Sequence, residues 1–286
     1  MLDSTVPVID YTRYSNRQLA AAPLALLVLS LLIIVGMWAV TGTPVDPGID
    51  FTGGTEVQLQ TDASQTEIAA AFESEPASIQ SIATGQGEYI VTLQSTDTAA
   101  IEQQATDAGF TVTSISSTSA AFGSETQTQA LVGVAIAFVG MSVLVALMFR
   151  TFVPSIAVVL SAFSDIAIPV ALMNLFGIQL SLGTVAALLM LIGYSVDSDL
   201  LLNNHVLRRR GDFYQSTHRA MRTGVTMTVT SLVAMVVMTT VATLFAIPLL
   251  PEIGLVLVFG LLADLMNTYL LNVSLLRWYK YEGIAR

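Results

Sequence analysis

The chain has 286 residues, 53% of them hydrophobic and only 11% charged, with a mean hydropathy of +0.70. That balance is too apolar and too poor in charge for a soluble domain of this size, so it excludes the soluble enzymes and binding modules and makes the chain a membrane protein. A formal net charge of -10 speaks against nucleic acid as a partner, and the absence of Cys excludes disulfides and thiol chemistry.

Residues 1–18 carry Asp3 and Asp10 ahead of Arg13 and Arg17, and no small-residue cleavage site follows the first apolar run. That run is therefore read as a retained span and not as a cleaved signal peptide. Crossing a hydrocarbon core of roughly 30 Å takes about 20 helical residues. Uncharged or nearly uncharged runs of that length predict spans near 19–40, 129–149, 153–174, 180–202, 224–245 and 253–275. Asp165 falls inside the third, Asp197 and Asp199 late in the fourth, and Asp264 inside the sixth. The basic residues are Arg13 and Arg17, Arg150, then Arg208, Arg209, Arg210, Arg219 and Arg222, and finally Arg277, Lys280 and Arg286. All lie on one side of a six-span plan. The positive-inside rule predicts that this side is cytoplasmic, with both termini and a 203–222 loop there, and that 41–128 lies outside the plasma membrane.

The 41–128 segment holds 12 acidic residues and no Lys or Arg. So complete an acidic surface self-repels in dilute buffer. With a sequence pI near 4.4 it points to a host adapted to high salt, where counterions screen the repulsion. Within it, "TEVQLQT" and "EYIVTLQ" alternate apolar and polar residues as half-buried strands do. "SQTEIAAAFES" and "DTAAIEQQATDAG" set Ile68/Phe72 and Ile101/Ala105 at helical spacing, and "PASIQSIAT" and "FTVTSISST" supply two weaker strands. The order β-α-β-β-α-β is that of a ferredoxin-like α+β domain. Short connections follow it, so the membrane part reads as one half of a two-repeat transporter whose other half comes from another chain. Gly133, Gly140, Gly183 and Gly193 are small enough to let helices approach closely.

"GIDFTGGTEVQLQ" follows the first span directly. Adjacent Gly53 and Gly54 permit positive φ or a close backbone approach, and Asp50 can cap or turn the chain, so the stretch reads as a tight connector into the first strand. The element built on Gly48, Asp50, Phe51, Gly53 and Gly54 also resembles the motif of the SecD/SecF family of protein-export membrane proteins. The resemblance covers nearly the whole chain: "SAFSDIAIPVAL" around Asp165, "IGYSVDSDLLLNNHVLRRR" in span four and "AMRTGVTMTVTSL" at the start of span five each match a family element. Asp197 together with Asp199 is closer to the archaeal branch, since bacterial members commonly carry Asn at the first position, and bacterial members usually lack an acid where Asp264 stands.

The resemblance implies half of the resistance-nodulation-division fold, with six membrane helices and the inserted ferredoxin-like domain. It implies a SecD partner chain, the Sec translocon channel, translocating polypeptides and membrane lipid as partners. It implies no cofactor and no catalysed reaction, but export driven by an ion gradient through membrane acids and a basic residue near the start of span five. Asp165, Asp197, Asp199 and Asp264 are the acids here. Arg222 is the nearest basic residue, one position out of register with the family. The alternative is a non-transporting scaffold that stabilises SecD or the channel; a lipid or small-molecule exporter half is a third reading, which the "DFTGGT" element opposes.

Chemistry elsewhere is sparse. Lys280 is the only Lys, so there is no Lys-bearing phosphate loop, and His205 and His218 lack a helical His or Cys partner for a metal. An intramembrane aspartyl protease needs two facing carboxylates, but its Gly-x-Gly-Asp pattern is missing. The basic stretch 206–222 reads as a positive-inside anchor before a docking site. Residues two apart on a helix lie about 200° from one another, so Asp197 and Asp199 cannot share a face and must have different jobs. Either could simply bond a neighbouring helix, with Asn203 and Asn204 as helpers. The sharper expectation is that at least one, with Asp165, faces the SecD interface and couples to the ion.

Overall fold

The computed structural model describes residues 11, 13–82, 87–149, 151–208, 212–245, 247 and 249–283. Asp3, Asp10, Arg150, Arg209, Arg210 and Arg286 lie outside the described residues. The elements run α1 (Asn16–Thr41), α2 (Ile49–Thr52), β1 (Gly54–Gln60), α3 (Gln65–Ala71), β2 (Ser78–Ser81), β3 (Glu88–Leu93), α4 (Thr98–Asp107), β4 (Thr111–Thr118), α5 (Ala120–Phe149), α6 (Phe152–Phe176), α7 (Leu182–Arg208), α8 (Phe213–Leu244), α9 (Leu250–Met266) and α10 (Val273–Trp278). A π-helical turn, Asn267–Asn272, joins α9 to α10, and a second, Tyr279–Gly283, follows α10. Among the described residues, six helices, counting α9 through Glu282 as one, are long and apolar enough to cross a membrane.

The small domain has a four-stranded antiparallel sheet in the order β2-β3-β1-β4. Strand alternation sends Val57, Leu59, Val91 and Leu93 to one face, where Ile68, Phe72, Ile101 and Ala105 cover them from α3 and α4. Ser64 and Glu67 cap α3 reciprocally, and the Asp97 carboxylate caps α4. Among the described residues, the opposite sheet face carries Glu56, Gln80 and Thr92 and no helix of the small domain.

In the membrane part, α6, α7 and α9 form an inner row, with α1 against α6, α5 against α6 and α7, and α8 against α7 and α9. Two apolar plugs fill the row. Near the small domain Met173, Val185, Leu188, Leu191 and Val256 pack with Phe51; at the basic end Leu202, Val206, Phe213, Met221, Val273 and Leu276 pack with Tyr11. At this end Arg277 donates to the carbonyls of Tyr11 and Tyr14 and to Asn16, and the Tyr11 hydroxyl reaches the Tyr269 carbonyl, so the residues that lead into α1 are sewn to the last helix. The polar side chains of the row lie between the plugs.

Several helices overrun their apolar runs. α5 starts at Ala120, where the Ser119 hydroxyl accepts the Phe122 N–H, and its first turns are Ser-, Thr- and Gln-rich and stand beyond the apolar stretch. α8 starts at Phe213 with an Asp212 cap, because Phe213, Thr217, Ala220, Met221 and Gly224 form a helical stripe that buries against the row. α7 runs on to Arg208, so most of the 203–222 stretch is helix and not loop.

The connector after α1 is docked. Gly53 at φ +81° and Gly54 at φ +150° turn the chain from α2 into β1, and a Cβ on Gly53 would stand 2.6 Å from the Ala120 nitrogen. On the other side of this contact, a Cβ on Gly123 would stand 2.6 Å from the Phe51 carbonyl oxygen. Gly123→Val should therefore destabilise the purified protein by about 1–3 kcal/mol, the usual cost of overpacking, and lower its melting temperature. Gly133→Val and Gly140→Val, where an added Cβ meets nothing within 4 Å, should leave the melting temperature of the isolated chain unchanged.

Candidate functional site

The polar layer is built by three helices that each contribute one carboxylate. Asp165 (α6), Asp199 (α7) and Asp264 (α9) are 1%, 0% and 1% exposed. Local sequence prepares each position. Ser161 stands one turn before Asp165, and Pro169 one turn after it cannot donate to the Asp165 carbonyl as a helical residue would. Ser195 and Ser198 precede Asp199 on α7. Asp264 lies in the last turn of α9, and the π turn begins three residues later.

The hydrogen-bond partners of the three acids are neutral groups, and Asp199 and Asp264 meet at one of them, the Thr268 hydroxyl. Asp165 Oδ2 accepts from the Ser195 hydroxyl at 2.6 Å and Asp165 Oδ1 from the Asn267 amide at 2.6 Å, with Ser161 at 3.5 Å. Asp199 Oδ1 accepts from Thr268 at 2.9 Å and from the Asn272 amide at 2.8 Å. Asp264 Oδ1 accepts from Ser198 at 2.6 Å and stands 3.4 Å from the Thr268 hydroxyl. The π turn makes this possible. At 3.6 residues per turn, positions five apart diverge by about 140°, but the wider turn brings Asn267 and Asn272 to the same side, facing Asp165 and Asp199.

Acceptors outnumber donors. Among the described residues, Asp199 Oδ2, Asp264 Oδ2, Asn267 Oδ1, Asn272 Oδ1 and both ends of the Asn203 amide are buried without a hydrogen-bonding partner. Buried polar groups are nearly always paired, and clusters of exceptions are the places where a protein holds ions, protons or water. Among the described residues no three acid or His side chains converge in the manner of a metal site. The arrangement is a cluster of buried carboxylates in a shell of hydroxyls and amides, two of which, Asp199 and Asp264, meet at the Thr268 hydroxyl.

The remaining candidates separate from this cluster. Asp197 is exposed on the other side of α7, as the 200° between it and Asp199 requires. It continues an exposed stripe of Leu182, Ala186, Met190 and Gly193. Arg222 lies on the exposed face of α8. Asn203 is buried, but the amides that bond Asp199 and Asp165 come from Asn272 and Asn267 on the last helix. Those two and Thr268 escape a search for charge. Their signal is polarity inside a span that is otherwise apolar.

The motif residues form a second site at the head of α7. The Leu182 N–H donates to Asp50 Oδ2 at 2.9 Å, the Gly48 N–H to the Leu180 carbonyl at 2.8 Å, and the Leu180 N–H to the Asp46 carbonyl at 2.8 Å. Beside it, a cleft of about 510 Å³ separates the helix-free sheet face from the ends of the membrane helices, lined by Asp50, Glu56, Thr92, Gln179, Ser181 and Glu252 among others. Burial, and secondly the charge of Asp50, push the Glu56 carboxyl above its ordinary pKa.

That shift sets a pH dependence. A glutamate whose pKa is raised by folding favours the folded state below the ordinary glutamate pKa, and this contribution is lost as pH rises through the elevated value. Glu56→Gln should flatten the loss, so the melting temperature of the variant relative to wild type should rise as pH is raised across that window. Parallel curves for the two proteins would contradict the assignment.

The chain matches two family descriptions: "SecD/SecF GG Motif" over residues 38–65 and "Protein export membrane protein SecD/SecF, C-terminal" over residues 98–282. Among similar proteins, a protein-export membrane protein SecF from Haloferax volcanii is 70% identical, with 100% of each chain covered. Another from Haloquadratum walsbyi is 64% identical with the same coverage, and one from Methanocaldococcus jannaschii is 39% identical over 93% of this chain and 96% of its own. The two halophilic sources accord with the acidic composition. The fold is also that of SecDF, a translocon-associated membrane protein from Thermus thermophilus, at a TM-score of 0.72 and 21% identity; 96% of this chain covers 39% of that longer one.

Proposed function

The chain belongs to the SecD/SecF family of protein-export membrane proteins, as a SecF-type component of the Sec export machinery, and from that premise we propose how it works. It acts with a SecD chain beside the Sec channel and uses an ion gradient to promote the passage of secreted polypeptides. No chemical reaction is assigned to it. By the positive-inside rule its basic end and both termini are cytoplasmic, and the small domain stands outside.

One observation carries the reading. Asp165, Asp199 and Asp264 are buried within spanning helices, their partners are neutral hydroxyls and amides, Asp199 and Asp264 meet at the Thr268 hydroxyl, and among the described residues Asp199 Oδ2 and Asp264 Oδ2 have no donor. Three uncompensated negative charges are too costly to hold together at that depth, so intramembrane acids in such an arrangement serve an ion or proton path. Gain and loss of the compensating positive charge changes what bonds α6, α7 and the π turn can share, which is how a gradient would move helices.

The SecD contact falls on the exposed side of α7. Asp197 has too high a cost facing lipid, and Gly193 beside it, where an added Cβ meets nothing within 4 Å, leaves room for a second helix. Arg222, on the exposed face of α8, suits the basic-end anchor and stands outside the proposed path. Membrane lipid covers the remaining apolar faces of α1, α5 and α8.

The test is release of a secreted substrate from sealed vesicles with and without the gradient. Asp199→Asn and Asp264→Asn should each reduce gradient-stimulated release by about fivefold or more, the scale of a typical coupling energy. Asp197→Asn should instead lower the recovery of SecD in co-purification. If all three variants keep gradient-stimulated release and SecD binding, the acids are structural and the scaffold reading replaces this one.

A further inference from the structure

The geometry points to Asp50 as a positioning residue that ties the root of the small domain to the head of α7, the helix that carries Asp199. The inference rests on the reading that the Asp199 cluster is the ion path, and adds how that path is joined to the part of the chain outside it.

The sequence presents Gly48–Gly54 as a tight connector whose paired glycines permit positive φ or a close backbone approach. The structure has no slack there. On one side the segment is zipped to the α6–α7 turn: Gly48 N–H to the Leu180 carbonyl, Leu180 N–H to the Asp46 carbonyl, a parallel bridge of Pro47 with Leu180, and the Gln179 amide to Asp46 Oδ2 at 3.1 Å. On another side the Gly53 backbone and the Phe51 carbonyl lie against the start of α5 too closely for a Cβ on Gly53 or Gly123. Its far end becomes β1, the strand paired with both β3 and β4.

Asp50 is the member of this knot that reaches the helix itself. The first amides of a helix have no partner within it. At α7 the Ser181 hydroxyl accepts the Thr184 N–H at 3.1 Å, and Asp50 Oδ2 accepts the Leu182 N–H at 2.9 Å. The side chain supplied to the first position of α7 thus comes from a residue 132 positions earlier in the chain. From Leu182 to Asp199 the helix rises about 26 Å at 1.5 Å per residue. A helix transmits a tilt or axial shift of its head to its far end, so a displacement of the small domain arrives at Asp199 through this bond, and a change in the bonds of Asp199 returns to the domain. Asp50 touches no ion in this scheme; it acts through α7.

The carboxylate is used here as an acceptor, which yields a specific pattern of variants. Asp50→Asn keeps an oxygen acceptor, and Asp50→Ala removes it. Leu182→Pro removes the donor instead, at the first helical position, where proline is well tolerated, and the Leu182 side chain is 45% exposed. Because the chain has no Cys, spin labels can be placed at Glu102→Cys on α4 and at His205→Cys on α7, which lies off the exposed stripe, without further changes. In the purified complex with SecD, Asp50→Ala and Leu182→Pro should each broaden the distance distribution between these labels. Asp50→Asn should stay narrow, and the Asp50→Ala/Leu182→Pro double variant should broaden no further than either single one.

In the vesicle assay the same broadened variants should lose gradient-stimulated release, by about fivefold or more, while gradient-independent release stays at the wild-type level; a merely structural defect would lower both. Unchanged distances in Asp50→Ala and Leu182→Pro, or an Asp50→Asn variant as broad as Asp50→Ala, overturn the proposal. So do broadened distances with full gradient stimulation when Asp199→Asn abolishes it. If Asp199→Asn also leaves stimulation intact, it is the ion-path reading that fails, and the label distances still decide whether Asp50 holds α7.

Discussion

Three carboxylates sit inside the inner helix row, and among the described residues their hydrogen-bond partners are hydroxyls and amides. Burying even one such charge without a counter-charge is expensive, and a low effective dielectric makes neighbouring like charges worse. The rest of the membrane part is arranged around this constraint. Two apolar plugs close the row above and below the polar layer, and the last helix widens into a π turn so that Asn267, Thr268 and Asn272 all reach an acid. A regular α-helix there would turn one of the asparagines toward another neighbour and leave its carboxylate with fewer donors.

The second constraint is connection. A small domain that answers events in the membrane must be held by contacts stiff enough to transmit them, and the root of this domain is held on three sides: by the α6–α7 turn, by the start of α5 and by its own sheet. Glycine serves two different ends in this region. Gly53 and Gly54 reach φ values that other residues resist, and Gly123 gives the Phe51 carbonyl room to approach. The acidic surface around them has no basic residue to balance it. Asp50 and Glu56 therefore repel one another across the cleft, and high salt lessens that repulsion where the groups meet solvent.

Much of this is legible in the sequence, where a short-range pattern carries it. The six apolar runs, the β-α-β-β-α-β order and the inward positions Ile68, Phe72, Ile101 and Ala105 all follow from period and length. So does the parting of Asp197 from Asp199, since helix geometry alone decides it. What escapes depends on contacts distant in sequence or on departures from regular geometry. The starts of α5 and α8 lie in polar stretches, where burial of Gly123 and Phe213 becomes visible only with the packed neighbour. The π turn has no composition signature. Asn203, adjacent to the acids in sequence, is a weaker guide to their partners than Asn267 and Asn272, which come from another helix. Nothing near Asp50 in the chain announces that its carboxylate serves the amide of Leu182.

The central claim, that positive charge crosses the membrane by way of the buried carboxylates, is tested most directly by flux. The complex with SecD, reconstituted into sealed liposomes with an imposed proton or sodium gradient and an ion-sensitive dye inside, should dissipate one of those gradients. The complex containing Asp199→Asn, inserted to the same density, should hold it as protein-free liposomes do. Equal dissipation by the two complexes, or none by the wild type with either ion, would contradict the account.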